Sequence, residues 1–568
     1  MTTPTSLRWD FEIRLLAWLA VSVSVFAFLF YYRSGDILLY GDAEAHINIA
    51  RRVFDSKTPG PLQLGTVWLP LPHLLMIPFL VSDRLWQTGV GGSLPSLIAY
   101  VFGVIGVFRL VRESVARDAG ALAAWIAAGI FAANPNLIYL QCTAMGETVY
   151  LAFFVWAVVY FAEFVRGEDD GHSLTKCGLC VAAACLTRYD GWFLAAAMVL
   201  ALLVFRIVNK NHPHLADTAA GSERARQAPR GQLTGFLFLA VAVPLLWLAY
   251  NAIIYRNPLE FENGPYSAKA IELRSVNAGV SSHPGAGNFY VSALYFVKSA
   301  EVNMADNPWL GRAWLLLALC AAAASLFFVV RKRGAARSSW PLLLLGIPLP
   351  FYALSMAYAG VPIYVPDWSP FGYYNVRYGL QLLPAFAIAA GLLISITAQV
   401  KFSQAPQSTT VGKIFSAIPP RALAVLLVLA LAVFSYASVW QSTPICLREA
   451  QANMRGRAAL ETQLSKWLDG LPPDSTLLMY LGGFPGTLER AAIPLKRVVN
   501  EGNHRVWKQP KDPEGLWERA LADPARFADY AIAFEGDPVW QAVQPRHMNE
   551  IVEIKVTDQP RAVIYRVR

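Results

Sequence analysis

Charged residues are scarce in this chain of 568 residues. Only 15% are Asp, Glu, Lys or Arg, whereas 55% are hydrophobic. Ordinary soluble domains contain roughly 25% charged residues, so a soluble protein of this composition could not cover its surface. The composition therefore excludes an ordinary soluble protein and favours a protein that lies in a membrane.

The sequence also lacks the short motifs of several large enzyme classes. It contains no Walker or Rossmann glycine loop, which would indicate a nucleotide site, and no HExxH or GxSxG. Cys177 and Cys180 form a CxxC, but no second pair completes a zinc site. The net charge of +9 does not indicate nucleic-acid binding, because the basic residues lie in short loops between apolar blocks.

The chain does contain many apolar blocks of about twenty residues, the length that a helix needs to cross the hydrocarbon core. We predict a polytopic α-helical membrane protein with about eleven spanning helices, at about 13–32, 94–111, 120–138, 147–165, 175–187, 191–208, 233–255, 310–330, 341–359, 378–398 and 421–441. The apolar patch Trp68–Val81 contains Pro70, Pro72 and Pro78, so it is predicted to be a short helix at the membrane surface rather than a straight span.

Lysine and arginine are concentrated in every second loop, which is typical of cytoplasmic loops. This pattern predicts a cytoplasmic N-terminus. The first apolar block lacks a convincing small-residue cleavage site, so it is predicted to be a retained first helix, and the short loops predict a bacterial inner membrane. Two domains are predicted. Residues 1–441 form the membrane domain with its outward loops, and residues 442–568 form a soluble domain outside the cell or in the periplasm.

The composition of the tail differs from that of the membrane domain. Apolar, β-branched segments predict strands, and Trp517–Phe527 is predicted to be helical. The predicted strands are Leu477–Leu481, Leu495–Val499, Tyr530–Phe534, Ile551–Val556 and Arg561–Val567. The tail is therefore predicted to be a small α/β domain, and it contains no catalytic signature.

Charged residues beside the outer ends of the spans are candidates for function. Asp42, Glu44 and His46 follow the first span, and on a helix Asp42 and His46 share a face whereas Asp42 and Glu44 do not. The alternative is that Asp42 only caps a helix that starts near Ala43.

Two further groups of polar residues lie in predicted outward turns. Arg188, Tyr189 and Asp190 lie between two short spans, where Tyr189 could instead be an interfacial anchor. Arg377 and Tyr378 begin the tenth span, where Arg377 could be an anchor or could bind phosphate at a helix N-terminus. Weaker candidates are Glu147, at the start of the fourth span, and His73 in the proline-rich patch.

The residues Asp42, Glu44, Ala50-Arg51 and Pro70-Leu71-Pro72 resemble the first outward loop of the C-type (GT-C) membrane glycosyltransferases. The stretch from Arg377-Tyr378-Gly379 to Pro384 resembles a helix start in the same superfamily, and the nearest group is that of protein O-mannosyltransferases and aminoarabinose transferases. The chain differs in having Asp-x-Glu where many relatives have adjacent acids.

This resemblance implies a mannosyltransferase-like enzyme that uses a sugar linked to polyprenyl phosphate and inverts the anomeric carbon. The acceptor would be a glycan, a lipid or a protein. Asp42, with Glu44, would be catalytic, and Arg188 and Arg377 would bind the donor phosphate. His46, Asp190, Tyr189, Tyr378, Glu147 and His73 would bind the acceptor or support the site. No cofactor is required, although a divalent metal is possible.

Two other functions remain open at this point. One is a secondary transporter or flippase of a lipid-linked or anionic substrate, although such proteins usually show broken helices at the membrane midplane and internal repeats. The other is a non-enzymatic scaffold that anchors the outer domain. If the protein is a scaffold, mutation of Asp42 should have no effect on its function. If it is the enzyme, the same mutation should impair it.

Overall fold

The computed structural model describes residues 4–65, 67–114, 120–167, 172–211, 230–277, 279–330, 340–399, 419–504 and 515–568. Eight of the described helices are long and apolar enough to cross a membrane: Phe11–Ser34, Val90–Glu113, Glu147–Arg166, Asp190–Val208, Gly231–Tyr255, Trp340–Tyr358, Val376–Thr397 and Pro420–Met454. The last of these is divided at Thr443 into the spanning helix Pro420–Ser442 and the shorter helix Ile445–Met454. Three shorter apolar helices, Ala121–Ala133, Ser173–Thr187 and Pro308–Ala324, occupy the other predicted spans. The prediction of a polytopic helical membrane protein is confirmed, and the chain is an integral membrane protein whose described helices include eight of spanning length.

The proline-rich patch forms the short helix Leu71–Leu80, as predicted. Asp42 lies inside the first turn of the helix Gly41–Arg52, whose N-cap position is Tyr40, so Asp42 is not the cap. The other helices of the membrane part are Asp83–Gln87, Pro135–Leu140, Glu260–Asn263, Ala268–Asn277 and Phe289–Met304. The predicted loop residues 115–119, 168–171, 212–229, 331–339 and 400–418 lie outside the described residues.

The helix Phe289–Met304 lies between the predicted spans 233–255 and 310–330, where no helix is predicted from the sequence. It is buried along Ser299, Ala300 and Asn303, and it packs against the 3-10 helix Val376–Leu382, which leads into the α-helix Leu383–Gln399. Gly379 faces the backbone of Ser299 and Ala300 so closely that a Cβ would overlap both. This contact positions the start of the tenth span, where Arg377 lies.

The C-terminal region contains a five-stranded mixed sheet in the order β2-β1-β3-β5-β4. The strands are β1 (Leu477–Met479), β2 (Val498–Val499), β3 (Tyr530–Phe534), β4 (Asn549–Ile554) and β5 (Ala562–Arg566). β1 pairs in parallel with β2 and β3, and β5 pairs antiparallel with β3 and β4. All five predicted strands are therefore confirmed within a few residues.

The C-terminal region also contains short helices. They are Ile445–Met454, Arg457–Asp469, Thr487–Arg490, Leu516–Ala522, Pro524–Phe527 and Pro538–Val543. The predicted helix Trp517–Phe527 is divided at Asp523, because Pro524 has no N–H and disfavours helical backbone in the residue before it.

The C-terminal region packs directly on the helix Gly41–Arg52. Asn48 donates to the backbone oxygen of Pro485 at 2.8 Å, and Arg52 donates to Asn500 at 3.3 Å. The helix that contains Asp42 therefore lies between the membrane helices and the C-terminal region.

Candidate active site

A cavity of about 950 Å³ lies where the membrane helices, the segment around 261–283 and the C-terminal region meet. Eight of the ten sequence-predicted site residues line it: Asp42, His46, Glu147, Arg188, Tyr189, Asp190, Arg377 and Tyr378. Its volume is near the upper end of the usual range for small-molecule sites, roughly 300–1,000 Å³.

Arg377 binds three carboxylates at once. Its Nη2 donates to Asp42 at 2.9 Å, its Nε to Glu147 at 3.1 Å and its Nη1 to Glu449 at 2.7 Å. The backbone N–H of Arg377 also donates to Glu449, at 3.1 Å. Since all three side-chain nitrogens are used, the orientation of this guanidinium is fully determined by its neighbours.

Arg188 lies beside Arg377 and shares Glu147 with it. Nη1 of Arg188 donates to Glu147 at 2.9 Å, and Nη2 donates to the Tyr352 hydroxyl at 2.8 Å. That hydroxyl in turn donates to Asp190, at 3.0 Å. The ring of Tyr378 lies 4.8 Å from the Arg188 guanidinium carbon and 5.1 Å from that of Arg377, which favours both cations.

The two arginines are surrounded by four carboxylates, namely Asp42, Glu147, Asp190 and Glu449. Glu147, Asp190 and Glu449 are almost completely buried, whereas 45% of the Asp42 side chain is exposed. Charges buried in this way are stable only when they are paired and hydrogen-bonded. Asp42 is therefore the one of these four carboxylates that a molecule in the cavity can reach most easily.

His46 lines the cavity four residues after Asp42, as its position on the same helix face predicts. Its Nδ1 lies 2.8 Å from Nε2 of His73, and its ring centre lies 4.6 Å from that of Trp68. Burial lowers the pKa of His46 to about 4, so the imidazole is neutral near neutral pH. His73 does not line the cavity, and its ring contacts that of His46.

Tyr189 lines the cavity but is packed inside the protein. Its ring stacks on Phe261 at 4.5 Å, and its hydroxyl donates to the backbone oxygen of Val67 at 2.9 Å. Trp247 donates to the same hydroxyl, at 3.2 Å. These contacts join three segments of the cavity wall, which gives Tyr189 a structural role beside any contact with substrate.

Glu44 is not brought to the cavity, contrary to the sequence-based expectation of a catalytic role. Its carboxylate binds Arg457 and lies 3.0 Å from Nη2 of Arg490, both from the C-terminal region. The physical reason is the two-residue spacing, which places Glu44 and Asp42 on different faces of one helix. Burial, with a smaller effect of the nearby Glu461, raises the pKa of Glu44 to about 7.

Sequence reasoning missed Glu449 and Tyr352. Glu449 lies on the helix Ile445–Met454, just beyond the last predicted span, and Tyr352 lies within a predicted span. Tyr352 could have been suspected because it is a polar group in an apolar helix, but the position of Glu449 gives no such signal. Within the described residues, no three His, Cys, Asp or Glu side chains are arranged to hold a metal ion.

Residues 84–220 match the family model described as dolichyl-phosphate-mannose-protein mannosyltransferase. No curated protein matches the chain. Among solved structures, ArnT from Cupriavidus metallidurans is 14% identical in its apo state, with 97% of each chain covered and a TM-score of 0.53. The same protein bound to undecaprenyl phosphate matches with a TM-score of 0.51, the same identity and the same coverage. The Archaeoglobus fulgidus oligosaccharyltransferase is 14% identical, with 92% of this chain and 69% of that chain covered and a TM-score of 0.49.

The likeness to ArnT extends over nearly the whole chain and therefore concerns the complete arrangement of membrane helices and C-terminal region. The chain has the GT-C fold, as the resemblance of its loop motifs predicts.

Proposed function

We propose that this protein transfers a sugar from a polyprenyl-phosphate-linked donor to an acceptor at the outer face of the membrane, with inversion of the anomeric carbon. The observation that carries the proposal is the 2.9 Å contact between Asp42 and Arg377 in a cavity that Arg188 also lines. A general base and two cations lie together there, which is the set of groups that the transfer requires. The GT-C fold and the mannosyltransferase family match support the same reaction class.

The transfer is a single displacement. The acceptor hydroxyl oxygen forms a bond to the anomeric carbon while the bond from that carbon to the donor phosphate oxygen breaks. Asp42 takes the hydroxyl proton, and the polyprenyl phosphate leaves with the electron pair. Asp42 suits this role because its carboxylate is partly exposed in the cavity and is oriented by Arg377.

The two arginines have different tasks in this proposal. Arg377 is bound to three carboxylates, so it orients Asp42 and adds positive charge near the leaving phosphate. Arg188 is the more exposed, with 18% of its side chain accessible against 6% for Arg377. Arg188 is therefore the cation that contacts the phosphate, where fixed positive charge stabilises the leaving group.

The neighbours of these residues support the site. Glu147 binds both arginines, and Asp190 binds Arg188 with the help of Tyr352. His46 is neutral and lies on the Asp42 face of its helix, where it can accept from or donate to an acceptor hydroxyl. Glu44 takes no part in the chemistry, since its carboxylate binds Arg457 and Arg490.

The experiment that tests the proposal uses purified full-length protein, a radiolabelled polyprenyl-phosphate sugar and membranes of a strain that lacks this protein as the acceptor pool. Asp42→Asn is expected to lower transfer by about 10²–10⁴-fold, the usual contribution of a general base. Arg188→Ala is expected to raise the half-saturating donor concentration. The control is Asp36→Asn, in the short 3-10 helix Asp36–Leu38 that precedes the Asp42 helix, outside the cavity lining.

If Asp42→Asn transfers sugar at the wild-type rate, the proposed mechanism is wrong. Movement of labelled lipid across a vesicle bilayer without any sugar transfer is the result that a transporter or flippase predicts, and it would also overturn the proposal.

A further inference from the structure

One wall of the cavity comes from the C-terminal region and contains none of the groups assigned above. Tyr480, Gly482 and Pro485 line it from the loop after β1, and Glu501 lines it from the short turn after β2. A transfer reaction needs an acceptor held beside the donor in one enclosed space. Since the catalytic groups do not occupy the C-terminal wall, this part of the same cavity is available to an acceptor.

The carboxylate of this wall lies beside a guanidinium from the end of the helix Gly41–Arg52. Glu501 lies 3.5 Å from Nη1 of Arg52, and both side chains line the cavity. Glu501 also accepts from the backbone N–H of Leu481 at 3.0 Å, which orients its carboxylate. Such a pair offers hydrogen-bond acceptors and donors side by side, which suits the hydroxyl groups of a sugar because each hydroxyl both donates and accepts.

An aromatic ring stands next to this pair. Tyr480 lies in the same loop as Leu481, and its ring is only partly buried. Burial raises the pKa of Tyr480, so its hydroxyl stays protonated and remains a donor. Arg274, on the helix Ala268–Asn277, also lines the cavity, is exposed and makes no ion pair with the described residues.

An apolar slot would suit a lipid tail or a hydrophobic side chain, but this wall combines one ring with charged and polar groups. A ring offers a flat surface to the C–H face of a sugar, while the ion pair contacts its hydroxyls. We propose that Tyr480, Glu501 and Arg52 form an acceptor subsite for a carbohydrate. This inference rests on the proposed function and names the acceptor class of the same cavity.

The experiment uses the full chain in lipid nanodiscs, because the sugar head group of a maltoside detergent would compete for the subsite. The probes are mannotriose and chitotriose, with a peptide rich in Ser and Thr as the alternative acceptor class. Binding is followed by saturation-transfer NMR, and undecaprenyl phosphate binding is measured on the same samples by thermal shift.

A trisaccharide is expected to bind the wild-type protein at millimolar concentration. Tyr480→Ala is expected to weaken this binding about tenfold, or ~1.4 kcal/mol. Tyr480→Phe keeps the ring and is expected to retain most of the trisaccharide binding. Glu501→Gln is expected to weaken trisaccharide binding about as much as Tyr480→Ala does. The matched control is Trp467→Ala, an aromatic residue of the C-terminal region that is 49% exposed and lies outside the cavity.

Three results would overturn the inference: no trisaccharide binding, trisaccharide binding that is unchanged in Tyr480→Ala, or peptide binding that depends on Tyr480 in place of sugar binding. The measurement of undecaprenyl phosphate binding distinguishes failure of the acceptor subsite from failure of the proposed function. If undecaprenyl phosphate still binds while one of these three results is found, only the acceptor subsite is wrong. If the wild-type protein does not bind undecaprenyl phosphate, the proposed transferase function is wrong as well.

Discussion

Arg377 and Glu449 form a buried ion pair of 2.7 Å across two parts of the chain. Arg377 begins a membrane helix, whereas Glu449 lies on the helix that follows the last span. Glu449 binds the side chain and the backbone N–H of Arg377 and accepts a hydrogen bond from Tyr40. The orientation of the cation that contacts Asp42 therefore depends on a residue beyond the spanning part.

Glu449→Gln is expected to destabilise the protein by about 2–4 kcal/mol, because removal of one partner leaves a buried charge with less compensation. Sugar transfer is expected to fall as well, since Arg377 orients Asp42. The measurement is the thermal unfolding midpoint in detergent together with the transfer rate. The control is Glu553→Gln, which removes an exposed carboxylate that binds Lys555 and Arg561 and should cost less than about 1 kcal/mol. Equal shifts in both variants would contradict the role of Glu449.

Three buried carboxyl groups meet two arginines where the C-terminal region packs on the Asp42 helix. Arg457 and Arg490 each bind both Glu44 and Glu461, and Glu461 also accepts from the N–H of Gly486 at 3.2 Å. Both carboxyl oxygens of Glu489 are buried without a hydrogen-bond partner among the described residues. Burial raises the pKa of Glu489 well above its usual range, so Glu489 is the protonated member of this cluster.

Glu489→Gln is therefore expected to change the free energy of unfolding by less than about 1 kcal/mol, because glutamine resembles the neutral acid. Glu461→Gln is expected to cost about 3 kcal/mol or more, because it removes a buried charge that pairs with the buried Arg457 and with Arg490. Chemical denaturation of both variants at neutral pH measures the difference. A larger loss in Glu489→Gln than in Glu461→Gln would show that the proton is on another residue.

The sequence predicts the spanning helices and the strands because each depends on a local pattern: apolar blocks of membrane length, or short β-branched runs. It fails at the helix Phe289–Met304, where Lys298, Glu301 and Asn303 interrupt the apolar pattern although the helix is buried. Lys298 is paired with Glu301 and Asp367, and such pairs form only in the folded chain. Glu449 was missed for the same reason, since its function depends on a contact with a residue that is distant in sequence.

Gly379 is expected to tolerate no side chain, since the backbone of Ser299 and Ala300 occupies the place of a Cβ. Gly379→Ala should cost about 1–3 kcal/mol, as overpacking usually does, and should also lower transfer because Arg377 lies two residues earlier. Gly346→Ala is the matched control, since no described atom lies within 4 Å of its Cβ position. Thermal unfolding and transfer rate are measured for both variants. An unchanged midpoint in Gly379→Ala would show that the contact with the helix Phe289–Met304 adjusts easily.

The burial of His46 is expected to make the folded protein less stable at acidic pH. Its pKa is lowered by burial from about 6.5 in the unfolded chain to about 4 in the fold. The folded state therefore favours neutral His46, and this contribution is complete above about pH 6.5 and is lost as the pH falls toward 4. Between about pH 7 and pH 5 the loss amounts to about 2 kcal/mol.

His46→Gln, which cannot take up the proton, should lose about 2 kcal/mol less than the wild type on acidification from about pH 7 to pH 5. The measurement is the free energy of unfolding by denaturant at both pH values. His547→Asn is the control, because His547 is exposed in the C-terminal region and its left-handed backbone accommodates asparagine. If the wild type and His46→Gln lose stability equally on acidification, another group takes up the proton and the buried, neutral state assigned to His46 is wrong.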